Sequence, residues 1–91
     1  MATRLNADGT IVEVAPAGAA FTLTELQTIV GGYIEFLYFD DGRLLCVNED
    51  GKRLRLPVNR SASSLAWQHT GIAKWDVIAG DALLCGRQDV S

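Results

Sequence analysis

Two runs of strand-forming residues, Tyr33-Ile34-Glu35-Phe36-Leu37-Tyr38-Phe39 and Arg43-Leu44-Leu45-Cys46-Val47-Asn48, are separated only by Asp40-Asp41-Gly42. β-Branched and aromatic side chains favour extended backbone, and a short glycine-containing break between two such runs reads as an antiparallel hairpin. Glu49-Asp50-Gly51 then turns the chain again into Lys52-Arg53-Leu54-Arg55-Leu56. There Leu54 and Leu56 alternate with Arg53 and Arg55, which predicts a third strand of a meander, apolar on one face and carrying a basic stripe on the other. The Asp8-Gly9 turn joins two further segments, 1–5 and 10–14, and residues 82–86 form a last apolar strand.

One helix interrupts this pattern. Thr22-Leu23-Thr24-Glu25 has the Thr-x-x-Glu form of a capping box, and Leu23, Leu26, Ile29 and Val30 follow at helical spacing, opposite Glu25, Gln27 and Thr28. Gly31-Gly32 supplies the stop, as a helix C-cap rather than a phosphate loop, because the glycines follow the helix instead of preceding one. Residues 62–75 leave room for a short helical turn but show no clean period, and read as loop. The expected fold is therefore α+β, an antiparallel sheet of about five strands with the Thr22–Val30 helix packed on one face. At 91 residues the chain is expected to form a single domain, residues 1–91.

Eight basic residues against eleven acidic ones leave a net charge of -3, which argues against a duplex nucleic-acid partner. Lys52, Arg53, Arg55 and Arg60 nevertheless put half of the basic residues within nine positions, so a local anion site remains open. Cys46 and Cys85 each lie in an apolar run, without a Cys-x-x-Cys pair, and read as buried free thiols rather than zinc ligands. The paired carboxylates Asp40-Asp41 and Glu49-Asp50 lack the alternating oxygen ligands of a calcium loop and read as hairpin turns. No metal or cofactor is implied. The chain shows neither a signal-peptide pattern nor an apolar run of membrane-spanning length, which with the free thiols points to the cytoplasm.

The candidate site residues lie between positions 52 and 75. Asn59-Arg60 combines an amide with a guanidinium suited to a phosphate or carboxylate, and Lys52, Arg53 and Arg55 are near in sequence. Trp67 and Trp75 are of the type that stacks on bases or anchors interfaces. His69 is the one histidine, and a Ser/His/Asp set can be written from it with Ser61, Ser63, Ser64 and Asp76, although no serine has a nucleophile-elbow context.

The blocks Val30-Gly31-Gly32-Tyr33-Ile34-Glu35, Val47-Asn48-Glu49-Asp50-Gly51-Lys52, Leu56-Pro57-Val58-Asn59-Arg60 and Ile78-Ala79-Gly80-Asp81-Ala82-Leu83-Leu84 resemble, in order and spacing over residues 10–86, a small domain-of-unknown-function family of bacteriophages, prophages and conjugative elements. The resemblance implies a phage or mobile-element setting and no particular activity. The expected function is a non-enzymatic accessory protein that binds a host factor or sequesters a small anionic, nucleotide-like ligand, as in counter-defence. The ligand would be held by Asn59, Arg60, Arg53, Arg55, Lys52, Trp67, His69 and Trp75. The alternatives are a small hydrolase using His69 and a direct protein inhibitor of a host enzyme. An exposed strand edge on so small a sheet makes a homodimer a further expectation.

Overall fold

Every residue from Leu44 to Asn48 is buried, although successive side chains of a strand point to opposite sides of the sheet. Such a strand must be covered on both faces. The computed structural model, which describes residues 2–90, shows how this is done. Five strands, β1 (Ala2–Leu5), β2 (Ile11–Val14), β3 (Ile34–Tyr38), β4 (Arg43–Asn48) and β5 (Ala82–Gly86), form one antiparallel sheet in the order β2-β1-β5-β4-β3. The fold is α+β as expected, but two helices cover the sheet rather than one.

Helix α1 (Leu23–Val30) lies on the first face. Its capping box forms as the sequence predicts: Thr22 Oγ1 accepts from the Glu25 amide and the Glu25 carboxylate accepts from the Thr22 amide, at 3.2 and 3.0 Å. Gly31 ends it in the left-handed region, φ 81°, where a side chain would be strained. Leu26 and Val30 join Ala2, Phe21, Leu44, Cys46, Leu83 and Cys85 in the core of this face. Leu23, expected on the same apolar face, is exposed instead, as the first residue of the helix.

The other face is covered by helix α2 (Arg60–His69), in a region that the sequence reading assigns to loop. Its buried side is built from small residues, Ala62, Ser63 and Ala66, which leave little hydrophobic signal in the sequence. They pack in a second core with Leu5, Phe39, Leu45, Val47, Ile78 and Ala82. No helix among the described residues is long and apolar enough to cross a membrane.

Residues 52–56 are not a strand. The chain coils after β4, with the Leu54 amide donating to the Asp50 carbonyl, Arg55 to Lys52 and Leu56 to Gly51, and Arg55 takes a left-handed φ of 56°. Gly51 permits a close approach here: an added Cβ would lie 2.3 Å from the Ala79 carbonyl oxygen, so the loop is pressed against the segment that precedes β5. Bridging between Val58 and Ala79 continues that contact. The place beside β4 that a meander would give to residues 52–56 belongs to β5.

Candidate functional site

Asn59 is the residue from which the region around α2 is organised. Its side chain is fully buried; Oδ1 caps α2 by accepting from the Ala62 amide at 3.0 Å, and Nδ2 donates to the carbonyls of Leu5 and Gly80 at 2.8 and 2.9 Å. All of its hydrogen-bonding groups face the protein interior, so it cannot receive a ligand as the sequence reading expected. Arg60, next in the chain, is the first residue of the helix and is exposed.

Lys52 and Trp67 meet through Asp76. The Lys52 ammonium pairs with the Asp76 carboxylate, which is held below the usual carboxylate range chiefly by that contact and then by the Val77 amide. Trp67 donates its indole N–H to the Asp76 carbonyl at 2.7 Å, which makes it a half-buried strut between α2 and the following loop. Trp75 is different. It is 87% exposed, the largest exposure among the big apolar side chains described. Around it in sequence, residues 51–75 contain five basic residues and no acidic one, while the rest of the chain contains three and eleven. Arg53 is tied to Asp50 at 3.1 Å, whereas Arg55, Arg60 and Lys74 have no ion pair among the described residues.

His69 stands at the other end of α2, about 13 Å along the helix axis from Arg60 at 1.5 Å per residue. Its Nδ1 lies 3.0 Å from Asp40 Oδ1 and 3.8 Å from Asp41 Oδ2, and its ring stacks on Phe39 with centroids 5.1 Å apart. Arg43 grips Asp41 through Nε and Nη2 at 3.0 and 2.7 Å, reaches His69 Nε2 at 3.4 Å and lies over Phe39. These hydrogen bonds hold the Asp41 carboxyl at about 2, below its ordinary 3.8. The potential ligand atoms of Asp40, Asp41 and His69 lie within 4.8 Å of one another, a juxtaposition the sequence reading did not anticipate. The Arg43 guanidinium already sits against that cluster and opposes a second cation there.

The hydrolase constellation is not assembled. Ser63 Oγ is buried and engaged with the Ile78 backbone, Ser64 accepts from Gln68, and Asp76 is turned to Lys52. Among the described residues the polar partners of the His69 ring are Asp40, Asp41 and Arg43, with no serine among them.

Two of the cavities formed by the described residues bear on the site. One, of about 290 Å³, lies on the α2 side of the sheet, between β3, β4 and residues 72–79; Glu35, Glu49, Lys52 and Asp76 rim it and Leu37, Val47, Ile72 and Ile78 supply its apolar floor. The other, of about 510 Å³, is more open and runs between the β1–β2 turn, the end of α1 and Leu56-Pro57, with Arg4, Asp8 and Asp81 in its lining. Neither is lined by Arg53, Arg55, Arg60 or a tryptophan.

The eight predicted site residues therefore divide. Asn59 and Trp67 are structural, His69 belongs to the β3–β4 turn, Lys52 rims an otherwise acidic cavity, and Arg53, Arg55, Arg60 and Trp75 remain as exposed candidates, with Lys74 as an addition. Glu35 and Glu49 were missed, since nothing in their spacing shows that β3 and the turn after β4 share one cavity. No curated protein and no solved structure matches this chain. A family model covers residues 5–91, nearly the whole sequence, and on that match the chain belongs to the family described as Domain of unknown function (DUF3846).

Proposed function

We propose that this chain is a non-enzymatic accessory protein of a bacteriophage or mobile element, acting in the host cytoplasm, that binds a host factor through the basic and aromatic surface of residues 52–75. The setting rests on the resemblance of the four sequence blocks, and the mode of action on one observation: Trp75 stands 87% exposed in a stretch with five basic residues and no acidic one. An indole left in water gains substantially when a partner covers it, and tryptophan with arginine is the pairing most enriched where interfaces concentrate their binding energy. The partner is accordingly a protein with an acidic surface and an apolar recess. The arginines in question are exposed and line neither of the two cavities described, so the surface they offer is an open one.

The second reading, sequestration of a nucleotide-like anion, is favoured by the guanidinium groups of Arg55 and Arg60, which have no ion pair among the described residues. One experiment separates these readings. Host lysate is passed over immobilised wild-type protein, Trp75→Ala and Arg55→Glu, and the protein purified from host cells is denatured and its released small molecules are analysed by mass spectrometry. A discrete host protein retained by the wild type and lost in both variants supports the leading reading. An intact nucleotide released in stoichiometric amount supports the second, and turnover of that nucleotide on incubation sinks both in favour of an enzyme.

A further inference from the structure

The outer edge of the sheet at β3 has a defined hydrogen-bonding face. The Glu49 amide donates to the Tyr33 carbonyl and the Phe39 amide to the Arg43 carbonyl, both at 2.9 Å, in the register that pairs Glu35 with Val47 and Leu37 with Leu45. In an antiparallel pair such hydrogen-bonded positions recur at every second residue. The odd-numbered residues of β3 therefore face β4, and Ile34, Phe36 and Tyr38 direct their amides and carbonyls outward. Among the described residues no strand lies on that side.

The side chains of this edge alternate in the same way. Ile34 and Phe36 pack toward α1, whereas Leu37 packs on the α2 side and Glu35 and Leu37 both line the 290 Å³ cavity. Glu49 and Asp76 line the same cavity. Lys52 neutralises Asp76, but Glu35 and Glu49 have no ion pair and no side-chain hydrogen bond among the described residues. An open strand edge thus adjoins a recess with an apolar floor and two uncompensated carboxylates on its rim.

We propose that the β3 edge and this recess form a docking site for an extended segment of a partner protein, which adds to the sheet as a sixth strand and lays a lysine or arginine side chain into the recess. Backbone pairing with Ile34, Phe36 and Tyr38 supplies the frame, and the recess supplies the selection, as in other cases of strand addition. A basic side chain suits it on two counts: its aliphatic stem covers Leu37, Val47 and Ile72, and its charged head reaches Glu35 and Glu49. Glutamate at the same position meets like charge. The recess adjoins the surface of residues 52–75 and shares Lys52 and Ile72 with it, but pairing along the β3 edge does not depend on the reading given to Trp75.

The probe is a capped peptide of about seven alternating valine and threonine residues with one central lysine, long enough for a typical strand. Amide chemical shifts of the isotopically labelled protein are followed as the peptide is added. Shifts centred on Ile34, Phe36 and Tyr38 are expected, together with a roughly fivefold weaker affinity in Glu35→Gln and again in Glu49→Gln, as for one exposed ion pair each. Both substitutions lie on exposed side chains, and circular dichroism checks that the fold is kept. The same peptide methylated on alternate backbone nitrogens is expected to lose binding. Equal affinity for a glutamate-containing peptide, shifts confined to another edge, or no shifts at all would overturn the proposal. So would sedimentation as a dimer with the β3 amides protected, since a second copy of the chain would then be the occupant.

Discussion

The Asn59 side-chain amide donates to the main-chain carbonyl of Leu5 at 2.8 Å, joining residues 54 positions apart, while its oxygen caps α2. A third bond, to the Gly80 carbonyl, ties the same side chain to the approach to β5. One buried side chain thus holds the N-terminal hairpin, the second helix and the last strand together. Asn59→Ala removes the cap and strands two buried carbonyls, so a loss of about 2 to 4 kcal/mol in urea-denaturation stability is expected. Asn59→Asp keeps the acceptor but sets a carboxylate against those carbonyls, and is expected to cost at least as much. Arg60→Ala, one residue on, should change stability by no more than about 0.5 kcal/mol.

Gly51→Ala tests the close contact between the loop after β4 and the segment that precedes β5. The new methyl would lie 2.3 Å from the Ala79 carbonyl oxygen, and because that atom is backbone it cannot swing aside. A loss of about 2 kcal/mol or more is expected, seen as a lower denaturation midpoint at an unchanged slope. Gly71→Ala, with open space around the added carbon and no positive φ, is the control and should be near neutral.

The Asp41–Arg43 contact predicts how stability responds to acid. The Asp41 carboxyl is lowered from 3.8 to about 2 in the folded chain, mainly by the Arg43 side chain. The folded state therefore favours the ionised form, and the resulting stabilisation is fully present above about pH 4 and is lost as the pH falls toward 2. In a series of thermal melts, Asp41→Asn should melt below the wild type at neutral pH and converge with it by about pH 2. Parallel curves over the whole range would show that this contact carries none of the acid sensitivity.

Cys46 and Cys85 lie on neighbouring strands in the α1-side core, and burial pushes their thiols up to about 12 and about 11. Since the thiolate is the reactive form, neither should label appreciably with a thiol reagent at pH 8 in the folded protein, and both should label fully in denaturant. Residual native labelling should slow when the fold is stabilised, because access then depends on opening of the sheet. Fast labelling of either cysteine in the native state would contradict its placement in the core.

What could be read from the sequence follows from how local each signal is. The capping box at Thr22, the helical spacing of Leu26 and Val30 and the stop at Gly31 lie within ten residues, and α1 forms as read. The β3–β4 hairpin is equally local, with its turn residues between two strong strand formers. Residues 52–56 were misread because a two-residue alternation over five positions also fits a coiled loop, and the close approach at Gly51 is to Ala79, distant in sequence. Helix α2 was missed because its buried face consists of alanine and serine. In the candidate site, Asn59 attracted notice as an unusual residue, but its burial decided its role. Trp67 and Trp75 look alike in the sequence, and only the carbonyl of Asp76 separates a strut from an exposed ring.

The position of β5 bears on how the chain reaches this structure during synthesis. The two hairpins, residues 2–14 and 34–48, can each form as soon as they emerge, yet they share no sheet contact until residues 82–86 slide in between them. Until then each hairpin shows an open flank to its surroundings, a situation that invites wrong pairing. A ribosome-bound chain cut just before Ala82 should therefore hold two unjoined halves, and the addition of five more residues should convert them in one step into a closed, protease-resistant whole.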